Sequence, residues 1–184
     1  LLVLLLAGLL AGCGGGSRPT GIRAAETPAD DVAEYQPRWR SHTVDSTQYR
    51  KVFLAGTIDM GRSSDWQAAL VARFRDSIGG RWLFFNPRRR EFHASPAEME
   101  YQVAWELAHL EAADLIVMNL LGDSRSPISL LEMGLYARSG KLFVACSPDY
   151  YRYDNVRITC RRYGVPLYDS LTALLDDLPQ QSDE

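Results

Sequence analysis

Ser126, Ser129 and Glu132 lie three residues apart, so they would share one side of a helix. Glu132 also falls four after Ile128, beside an apolar stripe of Ile128, Leu131 and Leu135 expected to face a core. Burial raises the pKa of a carboxyl group, while hydroxyls and a helix N-terminus pull it back down. A glutamate in that setting can be held ionised and poorly solvated as a nucleophile. The alternative is a glutamate at the stripe's edge that reaches solvent or pairs with an arginine. Gln102, Glu106 and His109, spaced four and three apart, form a second polar ridge beside Trp105. This ridge supplies a second carboxyl group or is simply a solvated helix face. Two carboxyl groups around a glycosidic carbon are the minimum apparatus for displacement with retention: one attacks, and the other delivers and removes a proton.

Elements able to position these groups are legible along the chain. Lys51–Ala55, Trp82–Phe85, Leu115–Met118 and Leu142–Ala145 are short apolar runs with the character of buried parallel strands. Ser64-x-x-Gln67 has the form of a capping box opening a helix with Trp66, Leu70 and Phe74 on one face. Ser95-Pro96-x-Glu98 opens another with Val103, Leu107 and Leu110. A third helix is expected from Ser126-Pro127 to near Gly140 and a fourth around Val156–Arg162. Val165-Pro166-Leu167 reads as an edge strand, followed by a last helix from about Ser170 to Leu178. Strands alternating with helices predict a three-layer α/β domain with a mostly parallel sheet of about five strands. Ligands bind at the carboxyl ends of such strands, which directs attention to the loops after Ala55, Phe85, Leu120 and Ala145. Gly56-Thr57-Ile58-Asp59 follows the first strand, and Asn86-Pro87-Arg88-Arg89-Arg90 follows the second. One of those arginines could clamp an anionic substrate or orient a carboxylate.

Composition narrows the field. The chain has 184 residues, 46% apolar and 23% charged, which suits one compact domain plus a tail. A formal charge of -3 disfavours a protein dedicated to binding nucleic acid. Neither G-x-G-x-x-G nor G-x-x-x-x-G-K-[ST] occurs, so no nucleotide cofactor is expected. Three cysteines without a C-x-x-C pair and three scattered histidines offer no metal site. Cys146 and Cys160 are expected as free thiols, although an oxidising compartment would permit a bridge if their Cα atoms came within about 7 Å.

Leu1–Gly12 is entirely apolar, but a membrane-spanning helix needs roughly 20 such residues. Its length is that of a signal-peptide core. Leu10-Ala11-Gly12-Cys13 resembles the lipobox of bacterial lipoproteins, which would make Cys13 the lipidated residue. The expectation is anchorage in a bacterial cell envelope, with Gly14 favouring the outer membrane if the cell is Gram-negative. Residues 1–13 are thus expected as signal and anchor, 14–48 as a flexible tether rich in Pro, Gly and Ser, 49–179 as the folded domain and 180–184 as a tail.

Val52–Asp59, Asp65-Trp66, Asn86–Arg89, Gln102-x-x-Trp105-Glu106 and Ser126–Gly134 together resemble the nucleoside 2-deoxyribosyltransferase-like family over about Lys51–Leu178. The resemblance implies a flavodoxin-like (Rossmann-like) fold in which Glu132 attacks the anomeric carbon of a nucleoside and forms a glycosyl-enzyme intermediate. It implies that Glu106 handles the nucleobase proton, that Ser126 contacts the sugar, and that Gly56 and Asp59 lie in the loop under the substrate. Asn86, Arg88 and Ser129 complete the expected substrate-binding set. Phe53 stands where characterised transferases carry tyrosine, and Ser126 where some carry aspartate. Relatives with similar loops hydrolyse nucleotides, so transfer and hydrolysis both stay open. The resemblance further implies a homo-oligomer whose sites borrow residues from a neighbour, with the tyrosine-rich segment Asp149–Asn155 a candidate donor. Two alternatives stand beside an enzyme of nucleosides or nucleotides: a membrane-tethered nucleoside-binding or interaction module without turnover, and a glycohydrolase acting on NAD or a related dinucleotide.

Overall fold

The computed structural model describes residues 32–77, 80–89, 91 and 93–178. The expected signal, Cys13 and the 180–184 tail lie outside them. Among the described residues, seven strands form one sheet: β1 (Val32–Gln36), β2 (Trp39–Arg40), β3 (Arg50–Gly56), β4 (Trp82–Phe85), β5 (Leu115–Leu120), β6 (Leu142–Cys146) and β7 (Leu167–Tyr168). Their order is β2-β1-β4-β3-β5-β6-β7, and every pair is parallel except β1–β2. From β3 onward this is the flavodoxin-like strand order, and it reverses direction between β3 and β5. In sheets of this order ligands bind at that point, beyond the carboxyl ends of the two strands.

Five helices cover the sheet: α1 (Trp66–Ser77), α2 (Pro96–Ala112), α3 (Pro127–Tyr136), α4 (Tyr153–Tyr163) and α5 (Leu171–Asp177). Side chains alternate across each strand, so the sheet feeds two separate cores. Phe53, Ala55, Phe85, Ile116 and Met118 pack beneath α2, α3 and α4. Val52, Leu54, Phe84, Val117 and Phe143 pack beneath α1 and α5. Among the described residues, no helix is long and apolar enough to cross a membrane.

Three expectations need correction. Residues 32–48 are not tether: β1 and β2 extend the sheet beyond the expected five strands, with Val32, Ala33 and Tyr35 buried. Pro37 is a turn residue here, sharing a two-residue turn with Arg38 (φ 63), so its presence marks a hairpin and not a lack of order. The cap of α1 is Asp65, whose Oδ1 accepts from the Ala68 amide at 3.0 Å, instead of Ser64. The Ser95 cap of α2 is as expected, accepting from the Glu98 amide with Pro96 in the first turn.

The third correction bears on chemistry. Ile128, Leu131 and Leu135 are 59%, 62% and 58% exposed, and the inner face of α3 carries Ser129, Glu132 and Met133. The helix is turned so that its polar residues face inward. Val103 and Leu107 of α2 likewise lie outward beside Met99. Apolar periodicity located both helices but assigned the wrong face to the core, because these outer ridges mimic a core stripe.

Candidate active site

The loop after β3 begins at Gly56, opposite Asn119 of β5 in the ladder. Gly56 has φ +124, and a Cβ there would lie 2.2 Å from the Asn119 carbonyl oxygen, so only glycine fits. This close approach brings Thr57 onto the next strand. The Thr57 amide donates to the Asn119 carbonyl at 2.9 Å, and its hydroxyl accepts from the Leu121 amide at 3.1 Å. The hydroxyls of Thr57 and Ser126 are 2.7 Å apart, as are those of Ser126 and Ser124, and Ser124 donates to Asp59 Oδ1 at 2.9 Å. A continuous chain of hydroxyls thus ties the loop after β3 to the loop after β5.

Backbone strain collects at the same place. Asp59, Met60 and Ser126 all adopt left-handed conformations, at φ 48, 54 and 38. Non-glycine residues in that region cost on the order of 1–3 kcal/mol each and persist only where their surroundings fix them. The hydroxyl chain fixes Ser126. As a result Ser126 starts α3 without capping it, because its side chain is committed to Thr57 and Ser124.

Two turns along α3, Glu132 is buried at 8% exposure. Burial pushes its carboxyl up to about 8, and the nearby Glu106 carboxyl adds to the rise. Glu106 itself is raised by burial, opposed by a hydrogen bond from Gln102 and by the charge of Arg89. Gln102 Nε2 donates to Glu106 Oε1 at 2.8 Å and to the Pro87 carbonyl at 3.0 Å, so it joins α2 to the loop after β4. Trp105 stacks on His109 with ring centroids 3.9 Å apart and leans on Phe53, which is fully buried. The two glutamates lie near enough for the charge of Glu106 to act on Glu132.

Residues 49–150, more than half of the chain, match the description of nucleoside 2-deoxyribosyltransferase-like proteins. The chain belongs to that family. No curated protein matches it. A solved structure of a conserved protein from Enterococcus faecalis V583 is similar to it at 15% identity with a TM-score of 0.52. The alignment covers 72% of this chain and 99% of that one, which supports the α/β fold.

Within this family member, the expected residues fall into separate groups. Asp59 and Ser126 are joined by the hydroxyl chain with Gly56 at the head of the same loop, Glu132 and Glu106 interact with each other, and Ser129 is buried one turn before Glu132. Asn86 is buried below the loop, donating from Nδ2 to Glu34 Oε1 at 2.8 Å and accepting at Oδ1 from the Arg88 amide at 3.0 Å. Arg88 does not present a free guanidinium to an anion. Its Nη1 donates to Ser63 Oγ and the Ser64 carbonyl, its Nη2 to the carbonyls of Gly61 and Ser63, and its Nε faces Asp65 at 3.6 Å. Arg88 is a staple for the strained loop that carries Asp59. Arg89 also has a protein partner, donating to Glu98 Oε2 at 2.7 Å with its side chain 7% exposed.

Thr57, Ser124, Gln102 and Glu34 join these residues through contacts that the motifs alone do not assign to them. For Thr57 the available signal was its place after a strand-ending glycine. Nothing local marks Glu34, whose partner is 52 residues away. Within Asp149–Asn155, Tyr150 is buried and donates to the Arg125 carbonyl at 2.7 Å, supporting the serine-bearing loop, whereas Tyr151 is exposed. Cys146 and Cys160 are buried and free, their thiols pushed up by burial to about 12 and about 11.

Proposed function

We propose that this protein cleaves or exchanges the N-glycosidic bond of a nucleoside, with Glu132 as nucleophile and Glu106 as the proton-handling group. The interacting carboxyl groups of buried Glu132 and half-buried Glu106, on the helices that follow β5 and β4, carry this reading. A retaining displacement needs one proton held between two carboxyl groups, and burial holds a proton on Glu132 up to about pH 8. Substrate binding would place that proton on Glu106. The Glu132 carboxylate then attacks the anomeric carbon, the C–N bond breaks, and the departing base takes the proton from Glu106. In the second half, Glu106 accepts a proton from water or from an incoming base, which attacks the anomeric carbon and releases Glu132.

A nucleoside fits better than a nucleotide, because Arg88 and Arg89 are both engaged by protein groups. Mass spectrometry of the chain incubated with deoxynucleosides, ribonucleosides and their monophosphates, each with and without a free base, tests this. Base release or exchange that disappears in Glu132→Gln supports the mechanism. Binding without turnover would make the protein a nucleoside-binding module, and release of nicotinamide from NAD would redirect the substrate assignment to dinucleotides.

The proposal extends to assembly and location. The helices that carry the two glutamates, α2 and α3, also carry exposed apolar ridges, which suits a second copy of the chain packing against them. Leu131→Glu should then dissociate the assembly in sedimentation. Cys13 remains the proposed lipid anchor in a bacterial envelope, and loss of labelled fatty acid from Cys13→Ser is its test.

A further inference from the structure

The hairpin β1–β2 lies wholly before residue 49, where the family match begins, yet it touches the site along two routes. Along the first, Glu34 is buried and its Oε1 accepts from Asn86 Nδ2 at 2.8 Å and from Gln36 Nε2 at 3.2 Å. An amide side chain held at one end has a fixed orientation at the other. Asn86 therefore points Oδ1 at the Arg88 amide, and the Arg88 side chain grips the loop carrying Asp59. The second route starts at the hairpin turn. Arg38 donates to Glu98 Oε1 at 2.7 Å, and Glu98 Oε2 accepts from Arg89, the cation whose charge acts on Glu106.

Glu34 is held firmly enough to serve as a fixed point. Its amide donates to Ser41 Oγ at 3.0 Å, its carbonyl accepts from the Ser41 amide at 2.9 Å, and β1 pairs with β4 in register through Glu34 and Phe84. A buried carboxyl group is a costly choice for a strand that only extends a sheet, since an apolar residue would serve packing better. Its use at this position makes sense if its hydrogen bond to Asn86 has a purpose beyond packing.

We propose that the hairpin Val32–Arg40 is a working part of the site, in which Glu34 is a positioning residue that orients Asn86 and through it the Arg88 staple on the substrate loop. This rests on the nucleoside-cleaving function proposed above, and it adds a segment that the family match does not include.

The experiment compares wild type, Glu34→Met and Glu34→Gln in the full chain. Methionine keeps the length of the side chain but offers no oxygen acceptor, while glutamine can still accept from Asn86. With thymidine and 2′-deoxyadenosine as substrates and free adenine as acceptor, Glu34→Met should raise KM about tenfold with kcat within about twofold. Glu34→Gln should restore KM to within about twofold. Hydrogen exchange should quicken at the Arg88, Gly61 and Arg62 amides of Glu34→Met and stay unchanged in β6. Wild-type KM and exchange in Glu34→Met would overturn the proposal. So would uniformly faster exchange across the sheet without a change in KM, which is the pattern of a purely structural residue, or a Glu34→Gln variant as impaired as Glu34→Met. If the wild type turns over no member of the nucleoside panel, the nucleoside-cleaving function fails instead, and the exchange comparison alone decides the role of the hairpin.

Discussion

Gly56 and Asn119 face each other across the β3–β5 ladder at a separation that leaves no space for a methyl group: a Cβ on Gly56 would fall 2.2 Å from the Asn119 carbonyl oxygen and 2.7 Å from its amide nitrogen. Both obstructing atoms are backbone in the centre of the sheet, so neither can move aside cheaply. Gly56→Ala should cost more than about 3 kcal/mol, combining the clash with a φ of +124 that side-chain-bearing residues rarely adopt. Urea denaturation of the variant checks this, and a midpoint equal to wild type would contradict it.

Glu132→Gln should abolish turnover, lowering kcat by about a thousandfold or more, because an amide cannot form the glycosyl ester. It should also change how stability depends on pH. The folded-state pKa of Glu132 is raised to about 8. The stability linked to the neutral carboxyl group is therefore complete below the unfolded pKa, near 4.3, and is lost as pH rises through about 8. Relative to wild type, Glu132→Gln should gain on the order of 4 kcal/mol between pH 5 and pH 9. Parallel melting curves over that range would refute the burial argument.

Activity should follow a bell-shaped pH profile. The alkaline limb, near 8, marks loss of the proton that burial holds on Glu132. The acid limb marks protonation of Glu106 as well and should be displaced upward from the ordinary glutamate value, because burial raises Glu106. Glu106→Gln removes the neighbouring charge from Glu132 and should move the Glu132 titration downward, which proton-sensitive spectroscopy of the carboxyl group would detect.

Arg88→Lys and Arg88→Met should be impaired alike, since an ammonium cannot span the carbonyls of Gly61, Ser63 and Ser64 as a planar fork does. KM should rise by a similar factor for a nucleoside and for its 5′-monophosphate. A selective loss for the monophosphate would mean that Arg88 binds phosphate directly.

Ser126→Ala should weaken turnover through the loop geometry. It removes the hydroxyl that links Thr57 to Ser124 and leaves the left-handed backbone at position 126 without its two tethers. A loss of about tenfold in kcat/KM is expected, with Ser126→Thr recovering part of it. Wild-type kinetics in Ser126→Ala would show that the hydroxyl chain is dispensable.

Much of this architecture was readable from short-range pattern. The apolar runs at Val52, Leu83, Ile116 and Phe143 marked the central strands, and Ser95-Pro96 and Ser126-Pro127 marked helix starts, because strand burial and first-turn proline are local effects. Glu132 and Glu106 could be singled out by spacing. What escaped depends on contacts between distant segments. That α3 turns Ser129 and not Ile128 inward is not set by its apolar spacing, and the role of Arg88 depends on backbone carbonyls some 25 residues away. The hairpin escaped because proline density outweighed a run of only four buried residues at Val32–Tyr35.

The two edges of the sheet are β2 and β7, each only two residues long. Short edges present few unpaired amides and carbonyls to another molecule. Stripping away the hairpin would bare the open side of β4, where Trp82-Leu83-Phe84-Phe85 is apolar throughout, uncharged and without proline. Such a ribbon is a template for intermolecular strand pairing. The hairpin is therefore also a guard against self-association of the sheet, and a chain trimmed to begin at β3 should accumulate as insoluble material even where its helices are intact.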